Sequence, residues 1–219
     1  MFEAAIFDWD GTLADTRQVV VASFQKALSC THCKTSDKII ERLIGIGSAE
    51  TFREILRSSN TGFDERLIKS LVKKKIQNEI ELSGKVKLFA GAIALLEALH
   101  GKVKLGLASM NDRAVINHML KTTNTQKFFD VFVTADDIAE PKPDPEIFLK
   151  CALELGSEPD KCVVFEDSIF GVKAAKTAKM SCIAVLTGVY SQKELEKAKP
   201  DLVVNSLKEK NEILNFLFK

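Results

Sequence analysis

The sequence predicts an α/β fold, in which a Rossmann-like, doubly wound parallel sheet forms the core and an α-helical cap domain is inserted after the first strand. Two patterns support this prediction. From about Leu88 onward, short apolar runs alternate with amphipathic segments of helical spacing, as in βαβ units. Before it, from about Asp15, apolar residues recur at helical spacing alone. The predicted units are an α/β core, residues 1–14 and 86–219, and an inserted helical cap, residues 15–85.

The first predicted strand is the apolar run Ala4–Phe7, which is followed by the turn residue Gly11. Strands that are apolar throughout indicate a parallel sheet covered on both faces. The other predicted strands are residues 103–108, 131–133, 162–165, 182–186 and 202–204. The predicted helices of the core are residues 91–100, 112–120, 145–155, a segment ending near 179, and 207–218.

The charges of the chain are nearly balanced. Its 219 residues include 31 Lys and Arg and 30 Asp and Glu, which leaves a net charge of +1. No bulk charge therefore attracts nucleic acid or anionic lipid. The run Lys73–Lys75 is expected to be a solvated helix face. We find neither a signal-peptide pattern nor an apolar run of about 18 residues, so we expect a cytoplasmic protein without a membrane segment. The self-contained fold predicts a monomer.

Five cysteines, an odd number, are scattered through apolar segments, and we expect them to be buried free thiols. Cys30 and Cys33 form a C-x-x-C pattern around His32. Because no second pair accompanies it, this pattern is a minor candidate for a zinc or redox site.

Asp8 and Asp10 follow the first strand directly. Two carboxylates at the end of a buried strand repel one another unless a cation lies between them. Mg²⁺ accepts one or two carboxylates in proteins and completes its coordination with waters and substrate phosphate oxygens. The pair therefore predicts a Mg²⁺ site that also binds phosphate.

Further polar residues follow the ends of later strands, where parallel sheets bind their ligands. They are Ser109, Met110 and Asn111, then Lys142 in a stiff loop between two prolines, then Glu166 and Asp167. Taken singly, such residues are often helix caps or solvated loop lysines. Their occurrence together at one edge of the sheet favours a functional site.

This set suits phosphoryl transfer. Asp8 would attack phosphorus as a carboxylate nucleophile, which divides one difficult step into two. Mg²⁺ on Asp8, the backbone carbonyl of Asp10 and Asp167 would screen the approach of this anion. The groups expected to hold the non-bridging oxygens are Ser109, the N–H groups of the turn at Met110 and Asn111, and Lys142. Asp10, with its side chain free of the metal, would protonate the leaving oxygen and later deprotonate water.

The segment Asp8–Leu13, Ser109, Lys142 within Pro-Lys-Pro-Asp-Pro and the segment Glu166–Ser168 resemble the four motifs of the haloacid dehalogenase-like hydrolase superfamily. The resemblance covers essentially the whole chain. The position of the insert and the Glu-Asp-Ser ending are similar to the branch of β-phosphoglucomutase and phosphoglycolate phosphatase. The resemblance implies the roles given above for Asp8, Asp10, Ser109 and Lys142, and a Mg²⁺ site at Asp167 with Glu166 nearby.

The resemblance also ranks the activities. Dehalogenases lack the second aspartate, so Asp10 favours phosphate chemistry. Sugar phosphomutases carry a histidine after the first motif, where this chain has Arg17–Val21, and a Lys and an Arg in the cap loop, where it has Leu43–Ala49. Without those cations, water is favoured as the final acceptor. We expect a phosphatase for a phosphoglycolate-like or sugar-phosphate-like monoester. A sugar phosphomutase of the β-phosphoglucomutase type is the alternative. A phosphonate hydrolase and a non-catalytic binding module are less favoured.

The cap loop residues Gly45, Ile46, Gly47 and Ser48 are expected to face the site and help to select the leaving group. Arg53, in the following helix, either contacts an anion or faces solvent. A cap on two linkers can open for substrate and close to exclude water. The expected partner is therefore a small phosphorylated metabolite, with no nucleic acid and no membrane.

Overall fold

A computed structural model describes residues 2–219 of the chain. The strands are β1 Ala4–Phe7, β2 Ala14–Asp15, β3 Lys87–Leu88, β4 Lys104–Ser109, β5 Val131–Thr134, β6 Cys162–Glu166, β7 Ser181–Val185 and β8 Leu202–Val204. Six of them form one parallel sheet in the order β5-β4-β1-β6-β7-β8. The chain runs outward from β1 through β4 to β5, returns to the other side of β1, and runs outward again. This topology confirms the predicted doubly wound sheet.

The helices are α1 Arg17–Leu28, α2 Asp37–Leu43, α3 Ser48–Ser58, α4 Glu65–Leu82, α5 Ala92–Leu99, α6 Arg113–Thr122, α7 Glu146–Leu155, α8 Ile169–Thr177, α9 Gln192–Glu196 and α10 Lys210–Phe218. Helix α10 begins three residues later than predicted, because Leu207 is fully buried in the turn before it and its backbone packs against Gly91. Helix α9 was not predicted. Its first turn is a capping box between Ser191 and Glu194, a signal that the sequence does contain.

Successive residues of the central strand face opposite sides of the sheet. Ala5 and Phe7 of β1 belong to one apolar cluster with α5, α6 and α10, whereas Ala4 and Ile6 belong to a second with α7, α8 and α9. All four are fully buried. The sheet is therefore covered on both faces, which explains why its strands are apolar throughout.

In the sequence, the four helices α1–α4 lie between β1 and β4, the first two strands of the large sheet in chain order, as the predicted helical insertion requires. They enclose an apolar cluster of their own, in which the rings of Phe24 and Phe52 lie 4.7 Å apart. Where the chain leaves and re-enters the core, β2 and β3 pair as a short antiparallel ribbon. The predicted cap boundaries at residues 15 and 85 lie close to this ribbon and stay a prediction.

All five cysteines are free thiols. Four are buried, but Cys30 is exposed because it lies in the turn after α1, so the expectation of burial is wrong there. Across residues 2–219, we find no helix that is both long enough and apolar enough to cross a membrane.

Candidate active site

The predicted site residues meet at the carboxyl edge of the three central strands. Phe7 of β1 is paired with Leu107 of β4 on one side and with Phe165 of β6 on the other. The strands therefore end side by side. Asp8 extends this edge, since its backbone N–H donates to the carbonyl of Phe165 over 3.0 Å.

Lys142 lies at the centre of the site and is 1 % exposed, so it is not a solvated loop lysine. Its Nζ donates to Asp8 Oδ1 over 2.7 Å and to Glu166 Oε1 over 2.8 Å. The same nitrogen lies 4.8 Å from the centre of the Phe148 ring. Burial disfavours the charge of Lys142, but the two carboxylates outweigh it and raise the pKa of Lys142 above its usual range.

Glu166 is held in one orientation by its surroundings. Its Oε2 accepts from the backbone N–H groups of Asp167 and Ser168, each over 2.8 Å, and from the Ser168 hydroxyl over 2.9 Å. Gly171 leaves the space that the carboxylate occupies, because a Cβ at this position would lie 1.7 Å from Glu166 Oε1. Glu166 thereby fixes the position of Lys142.

Asp8, Glu166 and Asp167 bring carboxylate oxygens within 4.8 Å of one another, and all three are buried. Among residues 2–219 they are the one such group of His, Cys, Asp or Glu, so the Cys30–Cys33 segment does not form a second. Lys142 neutralises one of the three charges. Burial, together with the Glu166 and Asp8 charges, raises the pKa of Asp167 well above its ordinary value.

Space and chemistry around Asp167 fit a divalent cation. Its Oδ1 accepts a 3.1 Å hydrogen bond from the Thr12 hydroxyl, and no ion pair joins it to a cation in the described part of the chain. A Cβ at Gly11 or Gly188 would lie 2.3 Å or 1.9 Å from Asp167 Oδ2, so both glycines keep this carboxylate in place. Three hard oxygen ligands with one lysine between them leave an excess of negative charge that Mg²⁺ would neutralise.

The Asp10 side chain lies apart from this carboxylate group. Its Oδ2 accepts from Asn111 Nδ2 over 3.3 Å and, more weakly, from the Ser109 hydroxyl over 3.4 Å. Its Oδ1 is buried and forms no hydrogen bond within the described residues. Burial raises the pKa of Asp10 above its ordinary value, although the nearby Thr16 hydroxyl opposes this rise in the pKa. The side chain is thus free of the candidate metal site, and a metal contact through the Asp10 carbonyl stays a prediction.

The cap loop lies over the two aspartates. Gly45, Gly47 and Ser48 line a cleft that Asp8 and Asp10 also line, whereas Ile46 lines a neighbouring cleft. Met110 lies against this loop, since a Cβ at Gly47 would come within 3.0 Å of its terminal methyl group.

Two other residues near the loop have partners that the sequence did not indicate. The Ser48 hydroxyl donates to Asp112 Oδ2 over 2.8 Å, so Asp112 contacts the cap rather than closing the first turn of α6 through its side chain. Arg53 forms ion pairs with Glu50 and Glu65 and does not line the cleft beside Asp10.

A family model described as haloacid dehalogenase-like hydrolase matches residues 5–185, which include Asp8, Asp10, Ser109, Lys142, Glu166 and Asp167. The chain belongs to this family. This haloacid dehalogenase-like hydrolase is 31% identical, over 220 residues, to the phosphorylated carbohydrates phosphatase of Thermotoga maritima, with 94% of this chain and 99% of the relative covered. The chain is therefore a phosphatase, that is, a phosphoric monoester hydrolase.

Two solved structures extend the comparison of this hydrolase. CbbY from Rhodobacter sphaeroides, in complex with xylulose-(1,5)bisphosphate, has a TM-score of 0.83 at 27% identity, with 95% of this chain and 96% of CbbY covered. The β-phosphoglucomutase of Clostridium difficile has a TM-score of 0.85 at 28% identity, with 98% of this chain and all of the mutase covered (100%). Both relatives lie in the branch that the sequence resembles.

The hydrolase also contains polar contacts between cap and core that sequence reasoning missed. Lys75 was expected to be solvated, but it is 2 % exposed. Its Nζ donates to Asn111 Oδ1 over 2.7 Å, and it forms an ion pair with Glu79 one turn further along α4. The spacing of Lys75 and Glu79 from the buried Leu71 on one helix face was the available signal.

Arg42 of α2 forms a second contact between the cap and the core. Its guanidinium contacts Glu194 over 2.8 Å and lies 4.3 Å above the Tyr190 ring. The Tyr190 hydroxyl donates to the Arg42 carbonyl over 2.7 Å. No single motif marks this contact, because its members lie 148 and 152 residues apart.

Proposed function

We propose that this protein is a Mg²⁺-dependent phosphatase that hydrolyses a small phosphomonoester, phosphoglycolate-like or sugar-phosphate-like, through an aspartyl-phosphate on Asp8. The observation that supports this proposal most is that the two aspartates have different surroundings. Asp8 lies in the carboxylate group with Lys142, whereas the Asp10 side chain lies outside that group with one oxygen unpartnered. A nucleophile and a separate proton donor need this arrangement.

The residues that would hold Mg²⁺ are Asp8, Asp167 and the backbone carbonyl of Asp10, with Glu166 nearby. The bound ion would neutralise the charge that builds up between the Asp8 carboxylate and the phosphoryl oxygens. Burial raises the pKa of Asp8, and the ammonium of Lys142 opposes that rise. Lys142 thus favours the ionised form of Asp8 that can attack phosphorus.

In the first step, an Asp8 carboxylate oxygen forms a bond to phosphorus and the ester P–O bond breaks. Asp10 gives its proton to the departing oxygen, a role that suits a carboxyl whose pKa is raised by burial. In the second step, Asp10 takes a proton from water, the water oxygen attacks phosphorus, and the Asp8 carboxylate is released. Ser109, the backbone N–H groups of Met110 and Asn111, and Lys142 would hold the non-bridging oxygens.

A sugar phosphomutase is the second candidate, and the likeness to β-phosphoglucomutase over nearly the whole chain favours it. A mutase must hold a second phosphate while the sugar turns over. The loop 43–49 over Asp8 and Asp10 contains no cation. Water as the final acceptor therefore suits this cleft better than a phosphorylated sugar.

The test is phosphate release from a panel of small phosphomonoesters, with Mg²⁺ and with EDTA, by wild type and Asp8→Asn. We expect Mg²⁺-dependent turnover in the wild type and a loss of at least about 1,000-fold in Asp8→Asn, because the amide is not a nucleophile. The matched control is Asp160→Asn, an exposed aspartate far from the site, which should keep full activity. Isomerisation of a sugar phosphate without net release would instead support the mutase, and no turnover of any kind would contradict both.

A further inference from the structure

Asp10 lines two clefts, one beside Arg17 and Asp167 and one that Asp8 also lines. The leaving group would lie in the second, since both the attacking Asp8 and the proton donor Asp10 border it. Its wall is mostly apolar or neutral, formed in part by Val20, Phe24 and Ile44 of the cap. Within residues 2–219, Lys75 is the one basic side chain that lines it. Whether this cleft accepts a neutral or an anionic group therefore depends on what Lys75 already contacts.

The charge of Lys75 is fully engaged by this chain. Its ammonium forms an ion pair with Glu79, lies 3.6 Å from Asp112 Oδ2 and donates to Asn111 Oδ1. The side chains of Lys75 and Glu79 are 3 % and 0 % exposed. Burial disfavours the charge of Lys75, but Glu79 and Asp112 outweigh it and raise the pKa of Lys75 above its usual range. The lysine therefore stays charged, and its charge is already balanced by carboxylates of this chain.

Asp8, which also lines the cleft, is paired with Lys142. The ammonium of Lys75 is left with three carboxylates, those of Glu79, Asp112 and Asp10. Even with the proton that Asp10 would donate, the group keeps an excess of negative charge. An anionic leaving group would meet this charge beside buried side chains, where like charges repel more strongly than in water. A neutral hydroxylated group meets hydroxyls at Ser48 and Thr51 instead.

The Lys75–Glu79 pair needs an explanation beyond stability. Two buried charges cost desolvation free energy, and an apolar pair of similar size would often be at least as stable. Glu79 also accepts from Asn111 Nδ2 over 2.7 Å, so it reaches the same residue that contacts Asp10. The pair therefore lies between the cap core and the reacting groups rather than within the cap core itself.

We propose that Glu79 makes this site selective for phosphomonoesters with an uncharged leaving group, such as a polyol or a sugar carrying a single phosphate. Esters whose leaving group carries a carboxylate or a second phosphate are rejected. The inference rests on the proposed phosphatase function and narrows it, since it disfavours phosphoglycolate. Glu79 is a specificity-determining residue that acts through Lys75 and does not touch the reacting atoms.

The experiment compares kcat/KM for two pairs of substrates that differ in the charge of the leaving group. Glycerol 3-phosphate and 3-phosphoglycerate are similar in size, and fructose 1,6-bisphosphate adds a second phosphate to fructose 1-phosphate. In the wild type we expect the member of each pair whose leaving group is uncharged to be favoured by at least about tenfold. In Glu79→Gln, which keeps an acceptor for Asn111 but frees the Lys75 charge, we expect this ratio to fall by at least about tenfold.

Two further variants complete the test. Glu81→Gln changes an exposed glutamate on the same helix, which pairs with Lys26, and should leave the ratio unchanged. Asp112→Asn removes a second carboxylate near Lys75 and should also lower the ratio, so the proposal stays testable if Glu79→Gln does not fold.

A wild type that hydrolyses the anionic members equally well or better would overturn the proposal, as would folded Glu79→Gln and Asp112→Asn with unchanged ratios. In both cases the phosphatase function would stand. Loss of the phosphatase function itself would be seen differently, as no Mg²⁺-dependent release from any substrate, p-nitrophenyl phosphate included.

Discussion

At the scale of single residues, the site depends on two glycines that leave room for its carboxylates. Gly171 and Gly188 have no Cβ where Glu166 and Asp167 need the space. The same two carboxylates differ in their partners, because Glu166 contacts Lys142 and Asp167 contacts a hydroxyl. Asp167 is therefore the carboxylate whose charge is least balanced by the chain. A side chain added at Gly188 would contact Asp167 and not Glu166, so this position tests Asp167 separately.

We predict that Gly188→Ala weakens Mg²⁺ binding. The added Cβ would lie 1.9 Å from Asp167 Oδ2, so the carboxylate must move. The Mg²⁺ concentration for half-maximal phosphatase activity should rise by about 10–100-fold, the usual effect of displacing a metal ligand's support. In Gly84→Ala, where a Cβ meets open space, it should not change. An unchanged Mg²⁺ dependence in Gly188→Ala would show that Asp167 does not bind the metal.

At the scale of elements, two short helices meet across the cap–core boundary. The guanidinium of Arg42 in α2 reaches Glu194 in α9, whose carboxylate also closes the capping box with Ser191. These contacts, Arg42 first, lower the pKa of Glu194 to about 2. Because the pKa is lowered in the folded state, the ion pair stabilises the folded protein above the ordinary pKa of glutamate. This contribution is lost as the pH falls through about 2.

We predict that Arg42→Gln raises the pKa of Glu194 toward its ordinary value. The rise should be partial, because the N–H and hydroxyl of Ser191 still donate to the carboxylate. The measurement is a pH titration of the Glu194 carboxyl carbon by NMR. Arg53→Gln, which removes a different cap arginine, is the control and should leave the titration of Glu194 as it is. An ordinary pKa for Glu194 in the wild type would mean that the Arg42–Glu194 ion pair does not form in solution.

At the scale of the whole molecule, the protein has two apolar clusters on the faces of its sheet and a third within α1–α4. The clefts lie where the third meets the sheet edge. Polar contacts join the two parts there, through Lys75 and Asn111 on one side and Arg42 and Glu194 on the other. The cap cluster must therefore be stable for these contacts to be placed correctly.

We predict that Phe52→Ala lowers the free energy of unfolding by about 3–5 kcal/mol, because a fully buried ring is replaced by a cavity. The measurement is chemical denaturation followed by circular dichroism. Leu153→Ala changes a residue that is 78 % exposed and should stay within about 0.5 kcal/mol of wild type. Equal stabilities for the two variants would show that the cap cluster adds nothing to the stability of the protein.

Local patterns in the sequence were sufficient for the sheet, the helical insertion and the four motifs. Apolar runs mark strands buried on both faces, and parallel strands bring their carboxyl ends to one edge whatever lies between them. Asp8, Ser109 and Glu166 therefore meet because β1, β4 and β6 are neighbours. Even α9 had a local signal, the capping box at Ser191, that could have been read.

The chain by itself thus determined its fold class, its family and the polar residues that meet at the carboxyl edge of the sheet, because each of these depends on patterns within a few residues. Helical spacing from Leu71 could have marked Lys75 as the buried one of three consecutive lysines, but only the tertiary structure decided what it contacts. Lys75 differs from Lys73 and Lys74 because α4 turns it toward Asn111 and Asp112, residues more than thirty positions further along the chain. The charge balance around Lys75 therefore depends on packing between the cap and the core, and no local pattern contains it.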